Sequence, residues 1–412
     1  MNPPIYQSCE LPGGPRLAVA TLPGAECSAM SIHIPAGSRD EAGFPCGIAH
    51  FLEHMCFKGT ERHDARALSL RIESAGGQIN ACTSEDQTVY EGRGDAELMP
   101  LLCETLADMV WRSVLPEREI PLERDVIGEE ITMVRENPAD HIGDLLSAAM
   151  WPGHPLGNPI SGTLESIEAV DRAGLARFRD IHHFRRDLVI AVAGPLPLEA
   201  VAELLAPLVP PCAQSIGARE AFESSACVPS RLREGRETEQ LQLALAWRTA
   251  GRQSEDRHAL RLLSLMLGET ASSRLFLEMR EDRGLCYHVA SDVTLFDEVG
   301  AFEIHAGLDP DERQQALDCV FKHLHDLAEN GPANGELDRA KRLAITQGKL
   351  ALETTAAHAG WAGESLLDFG YIPTQNEWRN RIERVSDDMI AEVCKSLFIN
   401  ADYAIAEIDC GK

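Results

Sequence analysis

No apolar run in this 412-residue sequence approaches the ~20 residues needed to cross a bilayer. Its opening, MNPPIYQSCELPGG, lacks a basic segment followed by an apolar one. Both absences argue against membrane insertion and export, so a cytoplasmic protein is expected. Neither GxGxxG nor a P-loop pattern occurs, which removes the usual signals for binding dinucleotides or nucleotide phosphates. The twelve cysteines stand singly and never form CxxC, so reduced thiols are expected rather than a disulfide framework, and Cys56 reads as core filler. Positive charge is also short. Lys and Arg number 38 against 65 Asp and Glu, for a net charge of −27 spread through both halves. That balance disfavours nucleic acid and anionic lipid as partners and favours a cationic ligand.

With 44% hydrophobic and 25% charged residues the chain has the composition of a globular protein, and its length calls for two or three domains. RLAVATL and SAMSIHI have strand period, and DARALSLRIESA has helical period. GGQINACTSEDQTVYEGRG reads as a hairpin with strands near 78–83 and 87–92 and Ser84, Glu85 and Asp86 at its turn. Helical pattern fills most of 95–182, and the strand DLVIAVAGP follows. Periodicity then lapses where Pro, Ser and Gly gather, which places a linker at 211–230 between domains at 1–210 and 231–412. The second half repeats the order of the first, from LQLALAW through two helices and a hairpin to the last strand, DYAIAEI, so an internal duplication is expected.

The stretch GIAHFLEHMCFKGT puts His50 and His54 four residues apart, so that on a helix both imidazoles share one face at a spacing that can hold one Zn²⁺. Glu53 is turned ~100° from His54, which suits a carboxylate that takes a proton from water on the metal rather than one that binds the metal. The order is the inverted form of HExxH. The plain alternative is an amphipathic helix whose histidines are satisfied by packing. A catalytic zinc needs a third protein ligand, and PLERDVIGEEITMVRENP offers Glu123, Glu129 and Glu130 on a helix that starts at Pro121 and ends at Asn137-Pro138. Glu123 and Glu130 return to nearly one face, with Glu129 ~100° away. His182-His183 and the HLHD at 323–326 show no third partner at metal spacing and read as surface or packing histidines.

HFLEH, GGQINACTSEDQTVY and ERDVIGEE together resemble the inverted-zincin metallopeptidases that include pitrilysin, insulin-degrading enzyme and the mitochondrial processing peptidase. HPLGNPISGT, LVIAVAGP and ASSRLFLEMREDRGLCYHV extend the likeness over most of the chain. The resemblance implies an α+β fold of two homologous domains, each an antiparallel-rich sheet covered by helices, forming half of a peptidase clamshell. It implies one Zn²⁺ per chain on His50, His54 and Glu130, with Glu53 as general base and Glu123 orienting a ligand histidine. The strand INACTS is expected to bind an extended peptide through Asn80, Ala81 and Thr83. Arg280 and Tyr287 are expected to complete the active site. The family builds its chamber from four such domains, so two chains are needed, and a homodimer acting on extended, basic peptides is expected. A non-catalytic subunit that holds peptides for a partner is the alternative from another functional class.

Overall fold

A computed structural model describes residues 3–212, 222, 227–399 and 401–409. Most of the expected linker, 213–221 and 223–226, therefore lies outside the described residues. Among those described, no helix is long and apolar enough to cross a membrane, and the cysteines are free thiols.

The first sheet contains β1 (Ile5–Glu10), β2 (Arg16–Thr21), β3 (Cys27–Ile34), β4 (Gln78–Thr83), β5 (Thr88–Asp95) and β6 (Val189–Gly194), in the order β1-β2-β6-β3-β5-β4. Between and after its strands come α1 (Ile48–Cys56), α2 (Ala65–Glu73), α3 (Met99–Trp111), α4 (Ile120–Glu136), α5 (Pro138–Met150), α6 (Leu164–Glu168), α7 (Arg172–His182) and α8 (Leu198–Leu205). The second sheet contains β7 (Arg231–Gly235), β8 (Leu241–Ala250), β9 (Cys286–Leu295), β10 (Val299–Leu308) and β11 (Tyr403–Asp409), in the order β7-β11-β8-β10-β9. The helices in this half of the sequence are α9 (Arg257–Leu267), α10 (Arg313–Asn330), α11 (Glu336–Ala351), α12 (Thr355–Phe369), α13 (Gln375–Arg384) and α14 (Asp387–Phe398).

The two sheets repeat each other strand for strand. In the first, β4-β5, β5-β3 and β3-β6 are antiparallel and β6-β2 is parallel. In the second, β9-β10, β10-β8 and β8-β11 are antiparallel and β11-β7 is parallel. β1 is the addition in the first half, and IYQSCE carries too little apolar alternation to have been read as a strand.

The chain packs into two compact units that are not contiguous in sequence. One takes in the chain up to Thr132, the stretch beginning at Asn158, and Leu350–Thr374. The other takes in Met133–Gly157, the second half up to Lys349, and the stretch from Gln375. The units exchange helices between the two halves of the sequence: α12 lies in the first and α5 in the second. The sheets show why each accepts a helix from the other half. Along β6, Ile190 and Val192 point into the large core with α1 and α3, while Val189, Ala191 and Ala193 point to the other face, beneath Ala359, Ala362 and Leu366 of α12. In the second sheet Ala244, Ala246, Ala404 and Ala406 face Ile142, Leu146 and Ala149 of α5. Strands buried on both faces read as nearly continuous apolar runs, and the small side chains on one face let a helix come close. Gly363 completes that fit: a Cβ on it would lie 2.2 Å from Nε2 of the buried His33 on β3.

Candidate metal centre

α1 is aimed by its entry. Gly47, its N-terminal flanking residue, has φ 90°, and a Cβ there would meet the Ser161 carbonyl at 2.5 Å, so only glycine fits without displacement. The N–H groups of the first turn, which have no partner within the helix, are met by Glu41, whose carboxylate accepts from Gly47 N at 2.8 Å and Ala49 N at 2.9 Å. A negative group suits a helix N-terminus, but this one is buried, and burial pushes its carboxyl up to about 7 despite those two bonds. The folded state therefore keeps a proton that the unfolded chain releases from its ordinary value of 4.5. Stability should fall as pH rises across that window and level off above it, by on the order of 3 kcal/mol for this group. Glu41→Gln should lack that component of the slope in urea unfolding at pH 4.5 to 7.5. Equal slopes in the two proteins would rule Glu41 out as its source.

One turn apart on α1, His50 and His54 stand with ring centroids 4.6 Å apart. Their Nε2 atoms lie 3.9 and 3.7 Å from Oε2 of Glu130 on α4. Burial holds the His50 imidazole down at about 4, so it is neutral near pH 7 and has a lone pair to offer. Glu123, buried one register earlier on α4, accepts from His54 Nδ1 at 3.0 Å and pairs with Lys58 through its other oxygen. That contact assigns the proton of His54 to Nδ1 and directs Nε2 toward Glu130. Glu129 is exposed and takes no part. Glu53 is 9% exposed, and the Thr83 hydroxyl donates to its Oε2 at 2.5 Å. Burial raises the Glu53 carboxyl, the bond from Thr83 and the charge of His54 oppose that, and Glu130 adds to it.

Residues 16–164 match the family profile described as Insulinase (Peptidase family M16), and 169–344 match the Peptidase M16 inactive domain. This chain belongs to peptidase family M16. A Streptomyces coelicolor protein named an uncharacterized zinc protease is 32% identical over 394 residues, covering 94% of this chain and 86% of its own length. The beta subunit of the Caenorhabditis elegans mitochondrial-processing peptidase is 28% identical over 409 residues, 97% of this chain and 88% of that one. In fold, a protease from Helicobacter pylori superposes with a TM-score of 0.91 at 21% identity, over 99% of this chain and 100% of its own.

For a metallopeptidase family whose curated relatives are named zinc proteases, the donor set on this M16 chain fits zinc. His50, His54 and Glu130 bring ligand atoms within 4.8 Å of one another, and two imidazoles with one carboxylate are a known catalytic zinc set that leaves a fourth position open. Nδ1 of His50 is buried with no hydrogen-bond partner among the described residues, so its orientation rests on packing and on the ligand atom.

β4 is the end strand of its sheet, paired on one side with β5 through Asn80 to Glu91 and Ala81 to Tyr90. Asn80 is exposed and Ala81 half-buried. Thr83, expected with them at the substrate, turns its hydroxyl to Glu53 and is buried. A cleft of about 650 Å³ runs along β4, with Glu73, Glu91 and Glu364 in its lining against Arg93. In the second unit, Arg280 lies over the Tyr287 ring at 5.2 Å and the Phe276 ring at 4.8 Å, and Tyr287 is 76% exposed. Arg280 belongs to a π-helical segment, Phe276–Asp282, where the sequence pattern predicts an ordinary helix; bonds such as Arg283 N to Glu278 O set the wider turn. Glu41 and Lys58 were not found from the sequence. Lys58 had a signal, four residues beyond His54 and just past the end of α1. Glu41 had none, because its partners are backbone amides.

Proposed function

We propose that this M16 chain is a zinc endopeptidase that cleaves extended peptides or unfolded segments. The observation that carries the reading is the convergence of His50, His54 and Glu130 beside Glu53, with the base anchored by Thr83 at the end of an edge strand. A zinc held there supplies a Lewis acid that lowers the pKa of water towards ~7 and polarises a carbonyl. Glu53 accepts the water proton at a carboxylate oxygen and returns it to the leaving amine. Glu123 keeps His54 in the tautomer that binds metal. The open edge of β4 at Asn80 and Ala81 offers backbone hydrogen bonds to an extended peptide, which gives affinity without requiring a sequence. The chain's net charge of −27 favours basic peptides.

The working form in this reading is a cytoplasmic homodimer enclosing a chamber, with one zinc per chain and with Arg280 and Tyr287 serving the partner's site. A guanidinium binds a substrate carbonyl or carboxylate, and a tyrosine hydroxyl stabilises a developing oxyanion. Unstructured peptides incubated with zinc-loaded protein should be cleaved, and a chelator should stop cleavage. An inert zinc-loaded protein that still binds peptides would favour a non-catalytic subunit. Mixing Glu53→Gln chains with Arg280→Ala chains tests sharing of sites: the mixed dimer regains one site with both wild-type elements, so activity should partly return. Continued inactivity after verified exchange would place both elements in one chain or remove Arg280 from the reaction.

A further inference from the structure

Away from α1 and α4, a second set of metal-capable side chains converges in the second unit. Glu278, Cys319 and His323 bring their ligand atoms within 4.8 Å of one another. We propose that these three residues form a second site for a zinc-class transition metal, separate from the peptidase centre.

The expectation that His323 lacks a third partner is overturned by the fold. Cys319 and His323 are four apart on α10, so their side chains stack on one face as His50 and His54 do on α1. Glu278, on the π-helical segment, reaches them from another element, with Oε2 2.9 Å from His323 Nε2. Sulfur, nitrogen and carboxylate oxygen together suit zinc and its neighbours in the first transition row and do not suit Mg²⁺ or Ca²⁺. Cys319 is 1% exposed, while Glu278 and His323 are partly open, so the site is closed on the thiol side and accessible on the other. Burial lowers the His323 imidazole toward its neutral, ligating form and pushes the Cys319 thiol up to about 11. Binding therefore forms a metal–sulfur bond and releases the thiol proton to solvent.

Two cations already attend Glu278. Lys322 Nζ lies 2.8 and 3.0 Å from its two oxygens, and Arg283 lies at 3.6 Å. Lys322 is mostly exposed, so leaving the carboxylate costs it little. It acts as the competitor that a dication displaces. Glu278 stands two residues before Arg280 on the same short segment, so a metal on this site would tie that segment to α10.

Titration of the metal-free full chain with Co²⁺ tests the site, because a thiolate ligand adds a sulfur-to-cobalt charge-transfer band that the His50, His54 and Glu130 set cannot give. The wild type should show this band saturating by the second equivalent per chain, once both sites are filled, and Cys319→Ala should lose it while still loading the α1 site. His323→Ala should weaken cobalt binding about tenfold or more, and Lys322→Met should tighten it severalfold. Should Cys319→Ala fail to fold, Glu278→Gln gives the same reading through a shifted half-saturation. A wild type without the band, or a band that survives in Cys319→Ala, overturns the site. Unchanged half-saturation in Lys322→Met counts against the assigned ligand at Glu278.

Discussion

Glu53→Gln is expected to leave zinc bound and to lower peptide hydrolysis by about 10² to 10⁴-fold, the usual cost of losing a general base. The amide keeps the shape of the carboxylate and can still accept from Thr83, but it cannot take a proton from water. Burial in the present site raises the Glu53 carboxyl, which moves it in the direction a proton acceptor near neutrality needs. Turnover close to wild type, with metal content unchanged, would remove Glu53 from this role. A loss of zinc together with activity would instead make it part of the metal's support.

Glu130→Gln is expected to act on the metal before the chemistry. A neutral amide replaces the one anionic ligand, and zinc retention under mild chelation should drop by about 100-fold or more, since even outer contacts cost 10 to 100-fold. Metal content after dialysis, compared with wild type, reads this directly. Full retention would return the assignment to Glu123 or Glu129. The geometry weighs against both: Glu123 is engaged with His54 Nδ1 and Lys58, and Glu129 is exposed. The two variants thus separate proton transfer from metal binding at neighbouring carboxylates.

Short-range pattern made much of this site readable. The HxxEH spacing, the α4 helix with Pro121 in its first turn and Asn137-Pro138 past its end, and the hairpin around Ser84, Glu85 and Asp86 depend on helical period, proline and turn chemistry. The structure places β4 at Gln78–Thr83 and begins β5 at Thr88, close to the expected 78–83 and 87–92. The spacing left three glutamates open, and the resemblance selected Glu130. Contacts that close through the fold were less accessible. Nothing near Thr83 in sequence marks it as the partner of Glu53, and Glu278 precedes Cys319 and His323 by a whole hairpin. Glu41 is invisible for another reason, since a carboxylate that caps backbone amides imposes no residue type on its partners.

The sequence by itself determined the kinds of element, their order, the duplicated plan and the helix that presents two histidines and a carboxylate, because each follows from periodicity over a few turns or a few residues. Tertiary structure alone decided where the helices went. An amphipathic helix declares that it has an apolar face but not which sheet will cover it, so α5 and α12 could not be assigned to opposite units from their own residues. The alternation of large and small side chains in LVIAVAG and LQLALAW holds half of that answer: it leaves one alanine-rich face on each sheet. The other half is the close approach of a helix distant in sequence, which exists only once the sheet beneath it has formed.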